Sequence, residues 1–283
     1  MIQTGGRLTV AHFDVAVHLI TWGSDWRQGL ADVSALGFKG CETFTWVAEQ
    51  HYERQQQFKE ILAEHRLRLV ALYAGGRLCD PAVTEQEIAW NGKVARFLRN
   101  MGADRMVLGG GVRRPEGNSR EDWQLFVHTM HEIGRICNDL GIKACYHPHL
   151  GTIVEKPDEI DRVMEMTDPG LIWLAADCAH IQKGGADPCE VYRKYRDRLA
   201  YLHIKDLNPG VEWGQQTSAG TDQLPIFTEL GRGVVDLKAC IATLREIDYQ
   251  GWITVELDQS VIGPMNSLRI NKEYLENELG LTV

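Results

Sequence analysis

The sequence lacks the features that mark nucleic-acid-binding and membrane proteins. It has no excess of basic residues, because 39 acidic and 30 basic residues give a formal charge of −9. No apolar run approaches the roughly 18 residues that a membrane-spanning helix needs, and no basic segment followed by an apolar one opens the chain. We therefore expect a cytoplasmic protein that binds neither nucleic acid nor membrane.

Two short motifs are also missing. The seven cysteines include no C-x-x-C pair, and an odd number of thiols without that spacing is typical of reduced, mostly buried cysteines in a cytosolic protein. No G-x-G-x-x-G follows the first apolar run, which argues against a dinucleotide-binding domain.

The chain does contain a regular alternation of short apolar runs and amphipathic segments of helix length. Eight apolar runs are typical of buried strands: Val15–Thr21, Lys39–Thr43, Arg68–Tyr73, Arg105–Leu108, Ile142–His147, Leu171–Ala176, Ala200–Ile204 and Trp252–Leu257. Glycines 37, 102 and 141 end amphipathic segments as helix caps would, and Pro157 and Pro188 are placed to begin helices.

Eight strands, each followed by a helix, predict a (β/α)8 TIM barrel formed as a single domain by residues 1–283. An open, doubly wound sheet is the alternative. It is less favoured because polar residues end nearly every predicted strand, whereas such a sheet concentrates them at one switch point.

The predicted fifth to eighth strands all end in imidazole or carboxylate side chains. These side chains are His147, His149, Glu155, Asp177, His180, His203 and Glu256, and Lys205 lies at the end of the seventh strand beside them. Because the active sites of TIM barrels lie at the carboxyl ends of their strands, we expect them to converge on one mouth. Neutral imidazoles combined with carboxylates suit a divalent ion such as Mn, Co, Zn or Fe, with Mn or Co favoured and Mg less suited.

Other residues at the predicted mouth are candidates for substrate contacts. Glu42 ends the second strand and could contact a substrate hydroxyl, whereas Trp22 and Trp46, with Phe44, could form an apolar wall over the site or simply pack in the core. The longest irregular segment, residues 207–233, has the length of a functional lid.

Several of these motifs resemble one superfamily. Asp177-x-x-His180, His203-x-Lys205-Asp206 and Glu256 resemble the xylose-isomerase-like barrels, which include sugar isomerases, epimerases and dehydratases. Within that superfamily, the segments 146–152 and 251–259 are most similar to the inosose dehydratases of inositol catabolism.

The resemblance implies that Asp177, His203 and Glu256 bind the metal ion. Many relatives carry a glutamate where this chain has His147, so we expect Glu155 to be the fourth ligand, with His149 as the other candidate.

The resemblance also implies a metal-dependent lyase that dehydrates a keto-polyol, such as 2-keto-myo-inositol, through an enediolate. His147, His149 and Glu155 are the candidates for base and acid, and His180 and Lys205 for contacts with substrate oxygens or for proton transfer. Return of the proton to the other face or to a neighbouring carbon would instead make the enzyme an epimerase or isomerase, and loss of an aglycone would make it a 3-keto-glycoside lyase.

Two more distant alternatives remain. An endonuclease-IV-type nuclease would need more metal ligands and a basic face, and a non-catalytic sugar-binding barrel would have lost the ligands that are present here. Barrels of this type often pair through exposed helices and loops, so a homo-oligomer is a further expectation.

Overall fold

Eight parallel strands close into a barrel in the computed structural model, which describes residues 13–212 and 224–283. The strands are β1 (Phe13–His18), β2 (Gly40–Phe44), β3 (Arg68–Gly76), β4 (Arg105–Gly110), β5 (Lys143–Tyr146), β6 (Ile172–Asp177), β7 (Leu199–Ile204) and β10 (Gly251–Val255). They pair in the order β1-β2-β3-β4-β5-β6-β7-β10, and β10 pairs back with β1. The predicted (β/α)8 barrel is confirmed.

Helices connect the strands and cover the outside of the barrel. They are α1 (Trp26–Ala35), α2 (Trp46–His51), α3 (Gln55–Glu64), α4 (Thr84–Met101), α5 (Arg120–Asp139), α6 (Pro157–Met166), α7 (Cys178–Lys183), α8 (Pro188–Lys194), α9 (Leu237–Glu246) and α10 (Pro264–Asn277). As predicted, Pro157 and Pro188 begin helices, and Gly102 caps α4 with a left-handed φ of 80°. No helix in the described part of the chain combines the length and apolarity that crossing a bilayer requires.

The first strand ends earlier than the sequence predicts. The prediction extended it to Thr21, but β1 ends at His18 and a 3-10 turn covers Leu19–Trp22. The imidazole of His18 accepts a hydrogen bond from Ile20 N at 3.0 Å and so starts this turn. The turn leaves His18 at the carboxyl end of the barrel.

The predicted lid is described only at its two ends, because residues 213–223 lie outside the described residues. On either side of that gap, β8 (Asp206–Leu207) and β9 (Phe227–Thr228) form a short antiparallel ladder. The buried carboxylate of Asp206 accepts hydrogen bonds from the backbone N–H groups of Leu207, Gly231, Gly233 and Val235. This end of the segment is therefore tied to the barrel rim by backbone contacts.

All seven cysteines are free and buried. This agrees with the expectation of buried, reduced thiols.

Candidate active site

Parallel register brings polar side chains from different parts of the chain to one end of the barrel. Asp177 on β6 is paired with His203 on β7, and His18 on β1 is paired with Glu42 on β2. Glu256 directly follows β10, whose last paired residue lies beside β7. All five side chains are at least nine-tenths buried. Sequence-distant carboxylates and imidazoles thus meet inside a closed mouth.

Within this group, two sets of three side chains converge closely enough to hold a metal ion. His147, Asp177 and His203 form one set, and His147, His149 and His180 form the other, with one ligand atom from each residue within 4.8 Å of the others in its set. Glu256 lies beside the first set, with its Oε2 2.8 Å from Nδ1 of His203.

The first set has unused donor atoms, as a metal site should. Oδ2 of Asp177 is buried and makes no hydrogen bond within the described chain, and Nδ1 of His203 and Oε2 of Glu256 face only each other. Buried polar atoms in this state are costly unless something binds them. The mixture of nitrogen and carboxylate oxygen donors fits a divalent transition metal.

The second nitrogen of each histidine in the first set faces a protein acceptor. Nε2 of His203 donates to Oε2 of Glu42 at 2.8 Å, and Nδ1 of His147 lies 3.3 Å from the carbonyl oxygen of Ala175. This leaves Nδ1 of His203 and Nε2 of His147 for the cluster. Hydrogen bonds of this kind fix the tautomer and ring orientation of metal-binding histidines.

Glu42 therefore has a different position from the one expected of a substrate contact. Its carboxylate is fully buried and its Oε2 accepts hydrogen bonds from both His203 and the hydroxyl of Tyr201, at 2.8 and 2.9 Å. Because both donors lie on β7, across the barrel from β2, Glu42 occupies the barrel interior beneath the mouth. The prediction for Glu42 is corrected: it supports His203.

Opposite charges inside the site stabilise one another. Burial alone would raise the pKa of Glu256, but Lys205 and His203 outweigh it and hold that pKa well below its usual value. Burial likewise works against the charge on His203, yet Glu42 and Glu256 raise the pKa of His203 well above its usual value. For Asp177, burial together with Glu256 prevails over Lys205 and raises the pKa to about 6.

The remaining imidazoles have the opposite tendency. Burial, followed by nearby positive groups, lowers the pKa of His147, His149 and His180. The rings of His149 and His180 lie 3.8 Å apart between centroids. These three side chains are thus neutral near pH 7, the form in which an imidazole can bind a metal ion or accept a proton.

Lys205 is enclosed beside the carboxylates. Its Nζ lies 2.6 Å from Asp258 and 3.3 Å from Glu256, and 4.0 Å above the ring of Phe227. The carboxylates overcome the effect of burial and raise its pKa. Lys205 therefore brings a fixed positive charge to the site, and it does not pair with Asp206, whose carboxylate is occupied by backbone N–H groups.

Comparison with known proteins agrees with this fold. The model of the xylose isomerase-like TIM barrel family matches residues 30–277. The chain belongs to the xylose isomerase-like TIM barrel family. It is 31% identical to an inosose dehydratase of Geobacillus kaustophilus, over 95% of each chain, so the resemblance to inosose dehydratases is confirmed.

Two solved structures share the fold. The probable 3-DHS dehydratase AsbF of Bacillus anthracis superposes with a TM-score of 0.78 at 16% identity, covering 94% of this chain and 100% of that one. The IOLI protein, solved with a bound zinc atom, superposes with a TM-score of 0.76 at 16% identity, covering 95% of this chain and 98% of that one.

Contrary to the prediction, the structure does not bring Glu155 to the ligand cluster. Its Oε2 accepts a hydrogen bond from Gly151 N at 2.8 Å and lies 3.7 Å from Nε of Arg113. The turn after β5 folds the glutamate back onto its own loop. The predicted role of Glu155 as fourth ligand is therefore corrected, and His147 stands in that place.

Of the two predicted tryptophans, only Trp46 lines an open cavity. We call this cavity of about 410 Å³ the aromatic cavity, because Trp26, Phe44 and Trp46 are among its walls. The ring of Phe44 lies 4.9 Å from that of His18. Trp22 is instead 9% exposed and donates from Nε1 to Asp32 on α1. Of the two alternatives for Trp22, core packing is therefore confirmed and a place in the wall over the site is corrected, because the 3-10 turn after β1 directs this side chain into the core and leaves Trp26 at the cavity.

Four residues near the site were not predicted as site residues: His18, Tyr73, Asp258 and Trp26. His18 ends β1, so the rule applied to the later strands would have found it. The ring of Tyr73 on β3 lies 5.5 Å from that of His147, and Asp258 follows the last barrel strand. Trp26, inside α1, carries no such signal.

Proposed function

We propose that this protein is a metal-dependent lyase that dehydrates a keto-polyol such as 2-keto-myo-inositol. The observation that carries the proposal is the buried cluster of His147, Asp177 and His203, with Glu256 beside His203 and Oδ2 of Asp177 left without a hydrogen bond. The similarity to an inosose dehydratase along nearly the whole chain supports the choice of reaction.

In this proposal, His147, Asp177, His203 and Glu256 hold the metal ion. The ion would serve as a Lewis acid that polarises the ketone and acidifies the neighbouring C–H bond. Mn or Co suits the mixed imidazole and carboxylate donors best, with Zn, Fe or Mg as alternatives. Glu42 supports the site by fixing the ring of His203.

Neutral imidazoles perform the proton transfers. His149 and His180 lie beside the ligands, and the lowered pKa of each leaves a nitrogen able to accept the proton from the carbon next to the ketone. The bond from the β-carbon to its hydroxyl then breaks, and the departing oxygen takes up a proton and leaves as water. The enol that remains becomes a dione by tautomerisation.

Lys205 and the aromatic cavity position the substrate. The ammonium group of Lys205, fixed by Asp258 and Glu256, can donate to a hydroxyl or to the leaving oxygen. The walls formed by Phe44 and Trp46 can pack against the carbon face of a polyol ring and exclude water.

The test is turnover by protein reconstituted with Mn or Co and given 2-keto-myo-inositol. We expect a metal-dependent rise in ultraviolet absorbance as the dione or enone forms, and no rise with Asp177→Asn. Entry of solvent deuterium into a panel of ketoses without that rise would favour the epimerase or isomerase alternative. The absence of both signals would contradict the proposal.

The single-domain organisation, the cellular location and the oligomeric state expected from the sequence stay predictions.

A further inference from the structure

A second cavity of about 410 Å³ lies next to the aromatic cavity, on the outer side of α1 and α2. Its lining residues are Trp26, Arg27, Gln50, His51, Arg54 and Gln57. Trp26 and Gln50 line both cavities, so the two cavities adjoin. The second cavity differs from the first in its charge, because its walls contain two arginines and no acidic residue.

The two arginines are not neutralised by the protein. Among residues 13–212 and 224–283, neither Arg27 nor Arg54 has a carboxylate oxygen within 4.0 Å, whereas Arg113, Arg114 and Arg193 each pair with one. The guanidinium of Arg27 lies 4.6 Å above the ring of Trp26, which holds it at the cavity wall.

His51 also lines this cavity and has one ring nitrogen buried beneath the cavity surface. Its side chain is 6% exposed, and its ring packs against that of Phe58 at 5.2 Å. Nδ1 of His51 makes no hydrogen bond within the described chain. An unsatisfied buried donor of this kind costs free energy unless a ligand or water reaches it. Burial, then the charges of Arg27 and Arg54, lower the pKa of His51, so the ring is neutral and can donate from Nδ1.

We propose that this cavity binds the anionic group, a carboxylate or a phosphate, of a small metabolite. Two guanidinium groups would supply the charge and the paired donors that such oxygens prefer. The neutral ring of His51 would form the buried floor of the site, and Gln50 and Gln57 would provide neutral amide contacts. No catalytic group of the proposed function lies in this cavity, so the inference stands independently of the reaction.

The proposal is tested by calorimetric titration of the full-length protein with inorganic phosphate. We expect saturable one-to-one binding that weakens by about tenfold or more in Arg27→Gln/Arg54→Gln, because two charge-assisted contacts are lost. The matched control is Arg120→Gln/Arg269→Gln, which removes two exposed arginines elsewhere and should bind phosphate like the wild type.

Two results would overturn the proposal. Phosphate binding that is unchanged in Arg27→Gln/Arg54→Gln would place the anion elsewhere, for example at the metal cluster. An equal loss in both double variants would show a general effect of net charge. Trp26→Phe gives an independent readout, because a fluorescence change on phosphate addition should disappear when the indole under Arg27 is removed, and its persistence would also contradict the assignment.

The proposed keto-polyol substrate is uncharged, so the anionic ligand is a separate metabolite, which either extends into the aromatic cavity or remains outside it. Phosphate that raises KM for the keto-polyol in proportion to its concentration, with kcat unchanged, would show that both ligands use the connected cavities. Phosphate that binds without changing KM would identify an independent ligand. Either result supports the anion site, because the calorimetric titration measures phosphate binding without turnover.

Discussion

At the scale of single residues, burial and neighbours decide what each polar side chain can do. His203 and His147 are both buried histidines at strand ends, yet the two carboxylates beside His203 favour its charged form, while burial and the neighbouring histidines keep His147 neutral. Glu42 shows the same dependence, since its carboxylate faces His203 and Tyr201 across the barrel. A residue's type and its place at a strand end do not reveal such partners.

Replacing Glu42 by Gln should weaken metal binding by about 10- to 100-fold, as is typical when the partner of a metal-binding histidine is lost. The amide is uncharged and would hold the His203 ring less firmly. Titration with Mn, followed by calorimetry or electron paramagnetic resonance, measures the change. Tyr201→Phe, which removes the second donor to Glu42 together with the hydrogen bond to Thr254, serves as the comparison and should have a smaller effect. Wild-type affinity in Glu42→Gln would contradict the supporting role.

A second prediction concerns the fourth ligand. His147→Gln should lose most of its affinity for Mn, because His147 shares the ligand set with Asp177 and His203. Glu155→Gln should bind Mn like the wild type, because its carboxylate is engaged by Gly151 and Arg113. The two variants are matched controls for each other in the same titration. Loss of Mn affinity in Glu155→Gln, together with wild-type affinity in His147→Gln, would show that Glu155 is the ligand.

At the scale of elements, the alternation of apolar runs and amphipathic segments was sufficient to predict all eight barrel strands. The run at the end of β1 was misjudged because Leu19 and Ile20 are as apolar as strand residues. A local hydrogen bond from Ile20 N to His18 stops the strand there. Hydropathy cannot show a side chain that competes with the sheet for a backbone donor, and the positions of Trp22 and Trp26 follow from that single turn.

The start of α5 offers a test of stability at this scale. Asp122 completes a capping box with Ser119 and is bound by the guanidinium of Arg114. That hydrogen bond to Arg114 lowers the pKa of Asp122 from 3.8 to about 2. A carboxyl whose pKa is depressed in the folded state stabilises the fold above its unfolded pKa, and this contribution is lost as the pH falls toward about 2.

Asp122→Asn should therefore lower the free energy of unfolding at pH 7 by about 1 kcal/mol, a value reduced for solvent screening. The difference between variant and wild type should shrink between pH 4 and about pH 2, as urea unfolding at several pH values would show. Asp139→Asn, at the exposed far end of the same helix, should lack this pH dependence. A difference that stays constant with pH would exclude the ion pair as its source.

At the scale of the whole molecule, barrel closure converts sequence separation into proximity. Residues as far apart as His18 and Glu256 reach the same mouth because β1 and β10 are adjacent only in the closed sheet. The convergence of the last four strand ends could be predicted from this topology. The direction of the Glu155 side chain and the arginine pair beside Trp26 could not, because loops and outer helices do not follow the strand periodicity.

The metal cluster should also govern the stability of the whole barrel. Because burial raises the pKa of Asp177 to about 6, ionising this carboxyl at pH 7 destabilises the metal-free fold. A bound ion removes that cost, and metal at 100 times its dissociation constant adds about 2.7 kcal/mol, or roughly 5 to 10 °C in Tm for a domain of this size. Thermal unfolding after chelation and after addition of Mn measures this difference.

The control is Asp177→Asn, whose Tm should not rise with Mn. Its metal-free form should be at least as stable as the metal-free wild type. The reason is that the amide keeps Oδ1 for the N–H groups of Ala179 and His180 without burying a charge. A full rise in the variant would mean that the stabilising ion binds at another place.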